Sequence, residues 1–352
     1  MKRRDFLTLA GSGMIVSGAF GRSAHGQATA YPTMRRLTGT ESQDYVDGRP
    51  CFSPDGQTIL FMRQKLIRNG EGKIEPGEAW FCTVPANGGE VSDFARIDGF
   101  QFTRPDWSWV RRSFQIAFCG ISKSGSENSI YLLDVASRKI WLILKGDSAR
   151  NRIFSYPSWY PGAGALCVTN YWEGTNSEGF TTPGTMQHLL RCELNGRTNP
   201  LTHPTQIWPG MSSVCHVGTG PGNLPAIAFA GEQRTRAGYN QDFNQIWIRR
   251  PNGSVFAIDG LQARAPWWSP NGSLIAFESN RETSKSGNEN YQIFVQNPSN
   301  PAWIFPVTSP EQAVQHAKWS PEGNRLTFAY AIEKGSQAQG IAIVDLSESW
   351  SG

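Results

Sequence analysis

Beyond about position 30 the chain alternates short apolar runs with clusters of Gly, Pro, Asn and Ser. Runs such as TILFM, QIAFC, LIAFES and LTFAY follow tight turns. A second set, AWFCTV, SIYLLDV, HLLRCEL, QIWIRR, QIFVQN and GIAIVDL, follows longer connections. These runs are dense in β-branched and aromatic residues, and no stretch keeps a helical period. The pattern predicts strands throughout.

One phrase recurs, aligned on an aromatic residue: RPCFSPDGQTILF (49–61), RPDWSWVRRSFQIAF (104–118), YPSWYPGAGALCV (156–168), APWWSPNGSLIAF (265–277) and HAKWSPEGNRLTF (316–328). The aromatics Phe52, Trp107, Trp159, Trp268 and Trp319 are 55, 52, 109 and 51 residues apart. The interval of 109 is two periods, and GMSSVCHVGTGPGNLPAIAFAG (210–231) fills it as a degenerate sixth copy. Within each copy Pro presets φ and Gly tolerates positive φ, which closes a hairpin. Weaker runs, such as KIWLIL and SVFAID, add a fourth strand to most units. Four strands repeated about every 50 residues predict an all-β, six-bladed β-propeller of four-stranded antiparallel blades. The last copy stops at its third strand, GIAIVDL, while TMRRLTG (33–39) precedes the first. The N-terminal strand is therefore expected to join the last blade and close the ring.

The wording of the repeat, with Ser279-Asn280-Arg281 and a later IFV, resembles the TolB-type propeller repeat. It lacks the Gly-His and Trp-Asp dipeptides of the WD type. The resemblance runs through the chain beyond the first 30 residues and is clearest in the first, fifth and sixth units. It implies a stand-alone TolB-like propeller at 31–352, without the extra N-terminal α/β domain that TolB carries. Similar propellers act as peptide or protein binders, as gating domains of serine peptidases and as oligouronide lyases, and fold alone chooses none of these.

The first residues, MKRRDFLTLAGSGMIVSGAFGRSAHGQATA, have a basic start, a weakly apolar middle and small residues after it. That reads as a signal peptide over 1–30. Arg3-Arg4 followed by DFL resembles the twin-arginine export signal, so a periplasmic or secreted protein is expected. The net charge of +4 becomes +1 (29 − 28) once residues 1–26 are removed. A near-neutral surface argues against nucleic acid or an anionic membrane as partner. No other apolar run is long enough to span a bilayer, and a monomer is expected. The six cysteines are dispersed through strand-like runs, which predicts buried free thiols, with Cys167 and Cys192 the one candidate pair.

Chemistry is sparse. There is no Gly-x-Ser-x-Gly elbow, no Gly-rich phosphate loop and no Cys-x-x-Cys pair, which argues against a serine peptidase. No cofactor is predicted. The candidate for a divalent metal is a set drawn from different blades, His203, His216 and His316, set against scattered structural histidines. A second constellation follows from geometry. Three residues ahead of the repeated aromatic stand Arg49, Arg104, Tyr156, Ala265 and His316, with Arg264 beside Ala265. In a propeller these positions converge on one channel mouth, where guanidinium groups suit a carboxylate-bearing ligand. The bland alternative pairs each Arg with a neighbouring Asp47 or Asp106. Trp172 belongs to a long stretch, NYWEGTNSEGFTTPGTMQ, read as a long loop, as is GEQRTRAGYNQDFNQ with Arg234, Arg236, Tyr239 and Asp242; each is either a recognition loop for sugar or protein or a mobile solvated one. Two classes stay open: a binding module for a protein, peptide or acidic glycan, and a lyase or hydrolase acting on acidic oligosaccharide. A scaffold in a cell-envelope complex is the third.

Overall fold

The computed structural model describes residues 31–346 apart from 41–42, 72, 111–114, 123–126, 151, 176–180, 202–204, 207–211, 219–224, 236–237, 259–261, 282–289, 335 and 337. At 148, 171–175, 181–187, 205–206, 216, 218, 232–235, 238–244 and 301 only the backbone is described. Tyr31–Gly352 forms one compact unit. Residues 1–30, expected from their sequence to be an export signal, lie outside the described residues.

The chain is an all-β propeller. Its strands are β1 (Met34–Arg36), β2 (Tyr45–Phe52), β3 (Thr58–Arg68), β4 (Ile74–Pro85), β5 (Ser92–Ala95), β6 (Gln101–Trp107), β7 (Gln115–Ile121), β8 (Ser129–Asp134) and β9 (Ile140–Leu144). They continue with β10 (Ile153–Trp159), β11 (Ala165–Thr175), β12 (Thr181–Glu193), β13 (Thr198–Pro200), β14 (Thr205–Gln206), β15 (Ser212–Gly218), β16 (Pro225–Thr235), β17 (Gly238–Arg249) and β18 (Val255–Ala257). The series ends with β19 (Ala263–Trp268), β20 (Ile275–Ser279), β21 (Gln292–Asn297), β22 (Asn300–Pro306), β23 (Val314–Trp319), β24 (Arg325–Ala331) and β25 (Gln339–Asp345). Among the described residues the only helical segment is a 3-10 turn at Ser148–Arg150. No helix there is long and apolar enough to cross a membrane.

The strands pair as meanders: β6 to β9, β10 to β13 with β14 on β12, β15 to β18, and β19 to β22. An eight-stranded sheet holds two further meanders, β2 to β5 and β23-β24-β25-β1. One parallel pairing, Val46 with Gln339, joins them. The first strands of successive meanders touch one another in a closed cycle: β2, β6, β10, β15, β19, β23 and back to β2.

The turn chemistry explains the repeat. After Phe52, Trp268 and Trp319, a glycine at positive φ (Gly56 68°, Gly272 71°, Gly323 77°) donates its N–H to the serine carbonyl that opens the turn. The aromatics then stitch each meander to its neighbours. Trp107 packs with Phe81 and Phe102, Trp159 with Ala117 and Ile130, Trp268 with Ala228 and Ile246, and Trp319 with Ala276 and Val295. Burying one such ring removes on the order of 150–250 Å² from water, worth at most about 4–6 kcal/mol. Backbone staples add to this. The N–H groups of Trp159, Val214 and Trp268 donate to the side chains of Asp106, Ser158 and Ser213 on the preceding meander. Val214 thus occupies the aromatic's place in the degenerate fourth copy.

Three details differ from the expectations or sharpen them. Trp172 lies in β11, not in a loop, and the second long stretch forms the ends of β16 and β17. Cross-strand backbone pairing carries these polar segments out as hairpins, with no need of an apolar face. All six cysteines are free and buried. Cys167 stands opposite Arg191 and Cys192 opposite Leu166, so the two sulfurs leave on opposite faces of the sheet. Burial pushes the thiols of Cys51, Cys82, Cys167 and Cys192 up to about 12.

The N-terminal strand β1 does pair with β25, antiparallel, with Met34 opposite Val344. Beside it Ile341 N–H donates to Thr38 Oγ1 and Tyr330 O–H to the Thr38 carbonyl. Deleting residues 31–40 exposes β25 as an edge and is expected to lower the unfolding midpoint by several degrees. An unchanged melting curve would show that the pairing contributes nothing to holding the ends together.

Candidate functional site

The ladder slips by a residue in the same place in five of the six first strands. The slips fall between Gly48 and Cys51, Thr103 and Asp106, Ser155 and Ser158, Arg264 and Trp267, and Gln315 and Lys318. Inside each slip one residue has positive φ: Arg49 (55°), Arg104 (52°), Tyr156 (51°), Ala265 (50°) and His316 (61°). These are the positions three ahead of the aromatic. A residue in the left-handed region within a bulge re-aims its side chain, at a cost of roughly 1–2 kcal/mol for a non-glycine residue. Four of the five are followed by proline (Pro50, Pro105, Pro157, Pro266). Proline has no N–H for the ladder, so a bulge is where an inner strand accommodates it. That was the sequence signal for the bend, and the alignment alone does not use it.

The bends bring Arg49, Arg104, Tyr156 and His316 to one cavity of about 20 Å³, also walled by Pro105, Pro157, Ser212, Trp267 and Lys318. The group sits two to four residues inside the start of each strand, so it forms the floor of a funnel below the rim. Three hairpins, β3–β4, β11–β12 and β16–β17, carry on pairing past the start of their neighbouring inner strands. They rise on the side of that funnel.

Charge is concentrated here. The Arg104 guanidinium lies 4.6 Å from the Tyr156 ring centre and that of Arg49 5.8 Å away. Arg49 Nη1 donates to His316 Nε2 at 3.1 Å. Burial first, and then the Arg104 charge, bring the Arg49 guanidinium down to about 10. Burial alone would raise the Tyr156 phenol, but the two guanidiniums outweigh it and hold it below its ordinary value. Burial, reinforced by Arg49, Arg264, Arg104 and Lys318, holds His316 well below the usual imidazole range. His316 is therefore neutral. Because its Nε2 accepts from arginine, its proton sits on Nδ1, and that buried atom has no hydrogen-bond partner.

The carboxylates nearby are engaged. Asp47 is held by Arg63 through two 2.7 Å bonds. Asp106 takes Lys318 Nζ at 3.1 Å and the Trp159 N–H. Arg49 itself donates to His316. Arg264 has a carboxylate partner. It donates to the buried Glu278 at 2.7 Å, which also accepts the His316 backbone N–H, and Glu278 raises the Arg264 guanidinium despite its burial. Lys318, absent from the sequence-derived set, seals the floor: its Nζ also donates to the Pro105 carbonyl at 2.8 Å and lies 4.0 Å from the Trp267 ring centre. Four cations thus face two carboxylates, Glu278 and Asp106.

Of the other candidate residues, Trp172 is placed by its backbone alone, and His203 and the His216 side chain lie outside the described residues. Among the described residues no three His, Cys, Asp or Glu side chains gather as a metal site. The four cations around His316 make it a poor ligand for a divalent ion.

No known family's sequence pattern matches the chain, and no curated protein matches it in sequence. Solved structures do match in fold. TolB from Acinetobacter baumannii superposes with a TM-score of 0.54 at 15% identity, over 83% of this chain and 64% of TolB. An oligogalacturonate lyase from Vibrio parahaemolyticus gives 0.53 at 13%, over 92% of this chain and 96% of the lyase. Kuenenia stuttgartiensis hydrazine synthase gives 0.57 at 16%, over 87% and 46%. The chain thus spans less than two thirds of the TolB chain it resembles. At such identities the likeness speaks for architecture, and it shows a TolB-like β-propeller.

Proposed function

We propose that the chain is an exported, six-bladed TolB-like propeller, periplasmic or secreted, that binds a protein, peptide or other ligand through an acidic group in the axial funnel. The tally of six counts the eight-stranded sheet as two blades, with β1 as outer strand of the last. Its support is the closed cycle of six inner strands. The observation that carries the binding reading is the convergence of Arg49, Arg104, Tyr156 and His316 on one cavity through the same backbone bend. Among the described residues that line this cavity there is no carboxylate, so an acidic group meets donors and positive charge.

Calorimetry with polyglutamate and with oligogalacturonide tests this. The double variant Arg49→Ala, Arg104→Ala is expected to weaken binding of the active ligand at least tenfold to hundredfold per arginine, the worth of a charged hydrogen bond. Unaltered affinity would remove the funnel as the site.

A second reading, a lyase or hydrolase on acidic oligosaccharide, draws on one observation. Tyr156, held low between two guanidiniums, joins a proton acceptor to groups that neutralise a carboxylate. Turnover of oligogalacturonide in the same titration decides between them.

A further inference from the structure

We infer that the group this funnel receives is a single carboxylate on an apolar-faced carrier, held by Arg49, Arg104 and the Nδ1–H of His316, and not a phosphate or sulfate. This deepens the anion-binding reading above and rests on it.

Three observations carry the assignment. The first is donor geometry. Arg49 spends one N–H on His316 Nε2, which fixes the imidazole tautomer and leaves Nδ1–H buried without a partner. Guanidinium groups present N–H donors in a planar fork that matches the two oxygens of a carboxylate. A neutral amide or alcohol brings no charge to meet them.

The second is size. A cavity of about 20 Å³ has room for one or two waters. Two carboxylate oxygens fit that space. A tetrahedral phosphate or sulfate sets more oxygens against these walls, and burying a dianion costs more in lost hydration. The third is the wall. Pro105, Pro157 and Trp267 line the same cavity, so the atoms carrying the carboxylate meet apolar faces. Lys318 gives two of its three N–H donors to Asp106 and the Pro105 carbonyl, so its first task is to hold the floor.

A peptide C-terminus and a uronic acid share this chemistry. The test is the unfolding midpoint of the whole mature chain at matched ionic strength, with propionate, inorganic phosphate or sulfate added in turn. Propionate is expected to raise it by roughly 3 °C at ten times its dissociation constant, with no rise from phosphate or sulfate beyond that of chloride. The rise should vanish in Arg49→Ala. Equal rises from propionate and phosphate, both lost in Arg49→Ala, would overturn the carboxylate assignment and leave the anion site standing. No rise from any anion, with calorimetry unchanged in the double arginine variant, would remove both. Galacturonate and a short peptide with a free C-terminus, against its amidated form, then name the source. A larger shift from either fits the assignment, and an equal shift from the amidated peptide contradicts it.

Discussion

Asp106→Ala is expected to lower the stability of the propeller by about 3–5 kcal/mol, the usual cost of removing one partner from a buried ion pair. Both side chains are almost completely enclosed, Lys318 at 7% and Asp106 at 6% exposure. The loss is threefold. Lys318 keeps its charge in a buried site, the Trp159 N–H loses its acceptor, and the link between the last and second meanders is cut. A fall of roughly 4–7 °C in the unfolding midpoint follows for a domain of this size. The double variant Asp106→Asn, Lys318→Met removes the stranded charge and keeps an oxygen for Trp159, so it should recover most of the loss. If Asp106→Ala melts within a degree of the parent, the pair is not holding the floor of the channel.

Acidification gives the second large effect. An imidazole in the unfolded chain protonates near 6.5, whereas folded His316 does so only well below that, through burial and the charges of Arg49, Arg264, Arg104 and Lys318. Glu278 faces its backbone N–H and is shared with Arg264. Below pH 6.5 the unfolded chain binds a proton that the folded chain refuses. Stability contributed here is therefore complete above pH 6.5 and drains away as pH falls towards the folded value, by up to about 1.4 kcal/mol per pH unit. Burial shifts His188 in the same direction, adding to the slope. Denaturant unfolding between pH 7 and 5 measures it. His316→Asn keeps an acceptor for Arg49 and tolerates positive φ, and should flatten the profile. An identical slope in that variant would mean His316 is not the group that titrates.

The sequence made some of this architecture plain and hid the rest for identifiable reasons. The Ser-Pro-x-Gly turns were visible because their chemistry is local: one proline, one glycine and a serine carbonyl within four residues. The set Arg49, Arg104, Tyr156 and His316 was visible because the repeat numbers its own positions. The bend that joins them was not, since left-handed φ at arginine or tyrosine has no compositional mark beyond the proline that follows. Lys318 and Asp106 lie 212 residues apart, and only the ring brings them together. Glu278 was hidden for the same reason. It sits on β20, one strand out from the axis, and reaches His316 on the next meander. The stretches around Trp172 and Tyr239 looked like loops because polar hairpins owe their order to backbone pairing.

The left-handed station in five of the six inner strands has one more implication. Ala265 adopts it at 50° just as Arg49 does at 55°, so the strand pairing sets the direction in which a side chain leaves and is indifferent to which side chain it is. The axis behaves as a ring of sockets, each accepting a new residue without disturbing the sheet behind it. The bend is thereby separable from the side chain it presents, and a few letters swapped around the pore would exchange one guest for another.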